Sequence, residues 1–436
     1  STQGVSSAAS DVYKRQEKMC TISLLEVHQG GQGKAGHKKP VLFPKIVFLY
    51  DKEIHGPGKC CEDIFEAGVE CSSKTMYPDW LSMSGAGYIS SMYRKYKKVI
   101  SPMGCRAFLS PWYERGGMEP ADENDTPVFV GRFNIGAVSL HLPMILAKAR
   151  AESRDFYEVL DFYLQMIRNL HIRTYEYLGQ MRASTNPLAY CEGGFYGGHL
   201  KPNEKIGKLL KPMTASFGIT ALNELQELYN GKSIREDGQF ALEVLKYIND
   251  KVNQFKQEDG YLYAIYGTPA ESLCGLQVEQ FRKMYGIIEG VSDRPYVSNS
   301  FHCHVTEDLT PIQKQDLEGR FWNLCNGGKI QYVKYPIDYN HEAIRSLVRR
   351  AMAKGFYANS NQYFIRYIAQ RFGYFNTLQS IAGASEASGF PINYLMTMKK
   401  GKQLCGKILT PIMAAGLIMN LSLIHISEPT RHSLIS

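Results

Sequence analysis

None of the ten cysteines is separated from another by two residues, so the chain carries no CxxC pair. That absence excludes a zinc ribbon and a thioredoxin-like redox motif. Cys60 and Cys61 are adjacent, a spacing that suits neither a metal cage nor an easy disulfide. Long apolar runs are missing too: the longest, Ile408 to Met419, is interrupted by Pro411 and falls far short of a membrane span. No signal peptide leads the chain, so the thiols are expected to be reduced and the protein cytoplasmic. Charge of one sign is never concentrated. The net +8 is spread over 436 residues, which argues against a nucleic-acid partner while favouring polyphosphate substrates. Gly30, Gly31, Gly33 and Gly36 lack the GxxxxGK[ST] arrangement of a phosphate loop. No internal repeat or low-complexity run is present, and His199, His302 and His304 form no metal-ligand or triad spacing.

What remains is an ordinary globular composition, 44% hydrophobic and 21% charged, long enough for a large core. Its most informative stretch is Ser101-Pro-Met-Gly-Cys-Arg-Ala-Phe-Leu-Ser-Pro-Trp112. A proline on each side, with Gly104 immediately before Cys105, describes a tight loop presenting one thiol at its tip. Further on comes Gly131-Arg-Phe-Asn-Ile-Gly-Ala-Val-Ser-Leu-His-Leu-Pro143, where a strand would set the amide of Asn134 beside the loop. A lone cysteine is more often an inert structural thiol, so spacing alone does not carry a cysteine chemistry.

Period and punctuation predict the elements. Residues 17–50 alternate apolar and polar positions, predicting two strands about the glycine run, the second ending at Tyr50. A short helix is expected over 60–70, a strand over Ile135–Leu142, and a helix with one break from Met144 to Gly179, with Pro143 in its first turn. Helices are expected over Ile219–Tyr229, Phe240–Lys256, Ser272–Tyr285 and Glu342–Met352, and strands over Tyr261–Tyr266 and Lys329–Lys334. Strands alternating with long helices imply an α/β fold with mostly parallel sheet. Thr268, Ala270, Glu271 and Ser272, at a helix entrance, are candidates to hold an anion on backbone N–H groups, and Thr214 and Ser216 are a second possibility. Both groups could equally be plain helix caps.

MGCR at 103–106, the Gly131–Pro143 block, TASFGITALNELQELYNG at 214–231, YGTPAES at 266–272 and YVSNSFH at 296–302 follow one another in a family order. NGGKIQYVKYP at 326–336 and AIRSLVRRAMAKGFYANSNQYF at 343–364 continue it. Together they resemble the anaerobic class III ribonucleotide reductases, which are glycyl-radical enzymes, over residues 17 to 364. The resemblance implies a ten-stranded α/β barrel, incomplete here, with a central finger loop carrying Cys105. It implies reduction of ribonucleoside triphosphates to deoxyribonucleoside triphosphates by thiyl-radical chemistry. Cys105 matches the family's thiyl position and would take the ribose 3′ hydrogen. Asn134 would hydrogen-bond the ribose or the reductant, and Met103 resembles the subgroup that uses formate. Family partners would be a radical-SAM activating enzyme and a second copy of the chain, with ATP and deoxynucleotides as effectors. A different glycyl-radical enzyme of the lyase type and a catalytically dead nucleotide-binding fragment are the competing readings.

The ends depart from that pattern. Residues 6–16 and 421–431 resemble the two strands of a sequencing-library adapter in translation, so 1–16 and 421–436 are read as foreign and the segment between them as incomplete. Residues 365–420 lack the paired cysteines of the family's zinc site and its radical-glycine motif, and are read as frameshifted and without function. The fragment is therefore expected to be inactive by itself.

Overall fold

The computed structural model describes residues 2–38, 41, 45–75, 77–104, 106–270, 273–333 and 340–360. The chain divides into two compact units. Among the described residues, the first comprises those within 2–95, 309–315 and 330–360, and the second those within 96–308 and 316–329.

The first unit contains β1 (Val47–Tyr50), β2 (Asp79–Ser82), β6 (Gln331–Val333) and β7 (Tyr357–Ser360), in the order β1-β2-β7-β6. β1 pairs with β2 and β6 with β7 in parallel, while β2 and β7 run antiparallel. Helix Glu62–Lys74 packs Phe65 edge-on to Trp80 at 5.4 Å. Gly68 is required there, because a Cβ would sit 2.7 Å from the Trp80 ring and 3.2 Å from Phe48. Helix His341–Ala353 is tied to it by Arg345, whose Nε donates to both Glu66 oxygens at 2.9 Å, and by Arg349 to Glu62 at 3.1 Å.

The strand expected before the glycine run is instead part of a helix, Thr2–Gly30, which also includes the residues read above as adapter. Leu25 and His28 are buried three residues apart, whereas Leu24 and Val27 are 45% and 62% exposed. A period of three to four therefore describes this face, and the apparent alternation came from exposed apolar residues. Lys18 pairs with Asp63 at 2.7 Å, and Gln29 donates to Glu70 at 3.2 Å, which docks it on helix Glu62–Lys74.

The second unit holds β3 (Asn134–His141), β4 (Thr214–Thr220) and β5 (Leu262–Gly267), all parallel, with β4 central and wholly buried. Helices Leu142–Ala151 and Phe156–Gly179 connect β3 to β4. The expected break falls at 152–155, where Ser153 adopts φ 51° and Asp155 caps the second helix, accepting from the N–H groups of Tyr157 and Glu158 at 2.8 and 3.1 Å. Helices Leu222–Asn230 and Gln239–Asp259 connect β4 to β5, and Leu273–Tyr285 follows.

The helix expected from Ile219 starts only at Leu222, and TASFGIT is β4. Its period is two: Phe217 faces His171 and Phe255, at ring separations of 5.2 and 6.1 Å, on the helix side. Thr214, Ser216, Gly218 and Thr220 alternate onto the other face. Four of the five strand pairings are parallel, as expected. The ten-stranded barrel is not what the described residues form: they contain seven strands in two open sheets, and neither sheet closes.

Candidate active site

Met103 and Ala107 exchange both backbone hydrogen bonds, N–H to C=O at 2.8 and 3.2 Å, and so close a short hairpin. Gly104 adopts φ 54°, a conformation that favours glycine. Cys105 itself lies outside the described residues. A glycine-containing strap, Asn326–Lys329, fastens the hairpin to β5. Phe108 N–H donates to the Gly327 carbonyl at 2.9 Å, and Lys329 N–H to the Arg106 carbonyl at 2.9 Å. On its other edge, Gly327 N–H donates to Ile265 and Gly267 N–H to Gly328, at 2.7 and 2.8 Å, while the Asn326 side chain accepts from Ile265 N–H at 3.0 Å. Gly328 has no room for a side chain: a Cβ would lie 2.0 Å from the Tyr266 ring and 2.9 Å from the Arg106 carbonyl oxygen.

The sheet face opposite the helices is lined by small polar groups. Asn134 begins β3 and donates through Nδ2 to Ser216 Oγ at 2.6 Å, while its Oδ1 accepts from Gly136 N–H at 2.9 Å. Thr214 is its register partner and accepts from Ser110 N–H at 3.2 Å, which brings the segment after the hairpin onto this face. Near the carboxyl ends of the strands, Ser139 and Thr268 join hydroxyls at 2.7 Å. A Cβ at Gly218 would collide with both hydroxyls at 2.3 Å, so glycine leaves the space they occupy.

Asn134, Thr214 and Ser216 thus come together at the start of the strands, and Thr268 lies at the opposite end. Thr214 and Ser216 are strand residues, so they do not stand at a helix entrance as the sequence suggested. Thr268 N–H is engaged by the Ile219 carbonyl at 3.2 Å. Ala270, with φ 56°, gives its carbonyl to Cys274 N–H at 2.9 Å and opens helix Leu273–Tyr285. Glu271 and Ser272 lie outside the described residues.

Besides Ala270, already a candidate, several participants had escaped the sequence reading. Ala221, Ala270 and Ser300 adopt φ 59°, 56° and 52°, strained for residues with a side chain, at the ends of β4 and β5 and in the loop 296–302. Such strain concentrates at functional sites. Ala221 N–H donates to the Ser298 carbonyl at 2.8 Å, and Ser300 Oγ stands where a Gly267 Cβ would approach to 2.2 Å. Glu224 is fully buried and accepts from Ser298 N–H and Oγ at 2.8 and 2.5 Å. Desolvation nonetheless pushes its pKa up to about 7, a larger effect than the opposing hydrogen bonds. Burial likewise raises the Cys274 thiol, keeping it neutral, and brings Lys329 down to about 8 while its Nζ donates to the Trp322 carbonyl at 2.8 Å. Arg106, also fully buried, donates from Nη1 to the Gly267 carbonyl at 3.2 Å and to Asn299 Oδ1 at 3.3 Å. Its signal was its place: a cation directly after the thiol, in an otherwise apolar loop.

A family model described as anaerobic ribonucleoside-triphosphate reductase matches residues 3–365. This chain belongs to that family. The reductase of Haemophilus influenzae is 33% identical over 340 residues, covering 76% of this chain and 45% of that protein. The phage T4 reductase is 30% identical over 330 residues, covering 73% and 50% respectively. The chain spans about half the length of the curated relatives it matches. Among solved structures, the anaerobic ribonucleotide reductase of Thermotoga maritima with MES in its active site superposes with a TM-score of 0.54 at 14% identity, over 79% of this chain and 51% of that one. Another anaerobic ribonucleotide reductase gives 0.53 at 16% identity, over 73% and 46%. These likenesses show a shared mixed α/β fold.

Within this reductase-family chain, the strap, the hairpin and the loop 296–302 are the motif blocks that followed one another in sequence, here joined in space. Among the described residues no cluster of three or more His, Cys, Asp or Glu could hold a metal ion. No helix among them is long and apolar enough to cross a membrane. The zinc-ligand and radical-glycine expectations fall on residues 365–420, outside those described.

Proposed function

We propose that this chain is the part of an anaerobic ribonucleoside-triphosphate reductase that carries the reactive thiol and the substrate-binding sheet face, in a cytoplasmic enzyme that completes the family's barrel and acts as a homodimer. The observation that carries this reading is the strapping of the Met103–Ala107 hairpin to β5, beside a face lined by Asn134, Ser216, Ser139 and Thr268. Radical chemistry on a sugar needs a thiol on a rigid support and a site that excludes water. A Thermotoga maritima relative of the same fold has been solved with dATP and CTP, which supports a nucleotide substrate and a nucleotide effector here.

A glycyl radical, generated by a radical-SAM activating enzyme, would supply the one-electron oxidation that turns the Cys105 thiol into a thiyl. Cys105 then takes the 3′ hydrogen of the ribose, and the 2′-hydroxyl leaves as water after protonation. Formate gives two electrons and a proton and leaves as carbon dioxide, with Met103 and Asn134 shaping its place, and Cys105 returns the 3′ hydrogen. The triphosphate is held after β5 by Thr268 and Ala270, ahead of helix Leu273–Tyr285, with Glu271 and Ser272 as further candidates from the sequence.

The test is product analysis under strict anaerobiosis with the longer polypeptide that supplies the family's remaining half, its activating enzyme, CTP and formate. Deoxycytidine triphosphate formed with carbon dioxide supports the assignment. Turnover of small acids or diols without any deoxynucleotide replaces it with a lyase.

A further inference from the structure

We propose that Cys60 and Cys61 form a two-thiol binding site for a trivalent arsenic centre, held ready by the loop between helices Lys52–His55 and Glu62–Lys74. Adjacent side chains on an extended chain point to opposite sides, which is why the pair looks unsuited to a metal cage or a disulfide. The backbone is not extended here. Cys61 adopts φ −125° and ψ 29°, and the two sulfurs come to 3.7 Å from each other. Both are free thiols; Cys60 is exposed and Cys61 half-buried, so a small reagent reaches them.

Backbone contacts on both sides fix that geometry. The Cys60 carbonyl accepts from Lys18 Nζ at 2.6 Å, and Cys61 N–H donates to the Ile54 carbonyl at 3.0 Å. The Cys61 carbonyl accepts from Phe65 N–H at 3.3 Å. Gly58, turned at φ 71°, donates its N–H to the Glu62 carboxylate at 2.7 Å and ties the loop to the helix start. The sulfur separation is close to the roughly 3.8 Å edge between two thiolates on tetrahedral zinc, but zinc takes two further ligands. Among the described residues no group of three or more His, Cys, Asp or Glu could hold a metal ion. Trivalent arsenic is pyramidal and brings its own third substituent, so two thiols suffice. Burial raises the Cys61 thiol above its ordinary value, so it stays protonated in neutral solution. With an arsenic dihydroxide, each thiol proton leaves with one hydroxyl as water. Two As–O bonds break, two As–S bonds form, and arsenic stays trivalent.

The test incubates the folded chain with phenylarsine oxide in excess glutathione, whose single thiol strips arsenic from lone cysteines but not from a chelating pair. Peptide mapping should find one phenylarsenic group bridging Cys60 and Cys61. Cys60→Ser and Cys61→Ser should each lose it, and Cys191→Ser, at a half-buried cysteine elsewhere, should keep it. Cys60 is exposed, so Cys60→Ser decides the matter if Cys61→Ser fails to fold. Titration with dimercaptopropanol then compares the chain with a synthetic peptide of residues 54–66. A pair organised by the fold should hold its arsenic against at least about tenfold more dithiol than the peptide does. An adduct retained in Cys60→Ser, or none at this pair in the parent, overturns the site. Equal release from chain and peptide also overturns it, because adjacency in sequence would then account for the binding without the fold.

Discussion

Glu224 illustrates how much a single buried side chain can govern. Folding raises its pKa from 4.5 to about 7 because the carboxylate loses water. Between those values the folded chain holds a proton that the unfolded chain has released. Its contribution to stability is therefore whole below pH 4.5 and is lost as the pH climbs through 7. Glu224→Gln keeps an acceptor for Ser298 N–H without a charge to desolvate, and removes about 3 kcal/mol of that decline. Urea unfolding at about pH 5 and about pH 7.5, compared between parent and variant, measures it. An equal slope in both would assign the pH dependence elsewhere. At Cys105 the expectation is chemical: Cys105→Ser in the completed enzyme binds CTP normally and forms no deoxynucleotide. Turnover of the serine variant above about a hundredth of the parent rate removes Cys105 from the hydrogen-transfer role.

At the scale of elements, punctuation was easier to read than period. Pro143 at a helix start and the turn after β5 were legible, because proline and glycine act locally, while the break in the helix after Pro143 was expected without a position. β4 was not read as a strand, and its last residues, Ile219 and Thr220, were read into the following helix; both of its faces are buried, so no solvent-facing side marks it. The helix Thr2–Gly30 was misread because its exposed side carries Leu24 and Val27. Of the candidate site, Asn134 was legible as a polar residue opening a strand. Arg106, Asn299 and Glu224 were not, since their importance comes from contacts between segments 74 and 193 residues apart. Two predictions belong to this scale. Gly328→Ala forces a methyl into the Tyr266 ring and costs at least about 2 kcal/mol, read as a lowered melting temperature. A double-mutant cycle on Arg345 and Glu66, both partly exposed, returns a coupling of no more than about 1 kcal/mol.

For the whole molecule, family membership and fold stand on a match over most of the chain, which spans about half the length of the curated relatives it matches. On the proposed function, nucleotide binding is the property expected of this chain by itself. CTP should raise its thermal midpoint, as any ligand of the folded state does. Inorganic triphosphate at the same concentration should act less strongly if, as proposed, the phosphates sit after β5 and the Asn134 amide meets the sugar. Equal shifts from both would confine recognition to the phosphates.

The strap at Asn326–Lys329 has a further consequence. Its amides and carbonyls are shared between the hairpin on one side and β5 on the other, so neither neighbour can peel away without exposing the other's backbone. Local melting in this region is therefore collective. In deuterated solvent the amides of Phe108, Gly267 and Gly327 should exchange with one common opening rate.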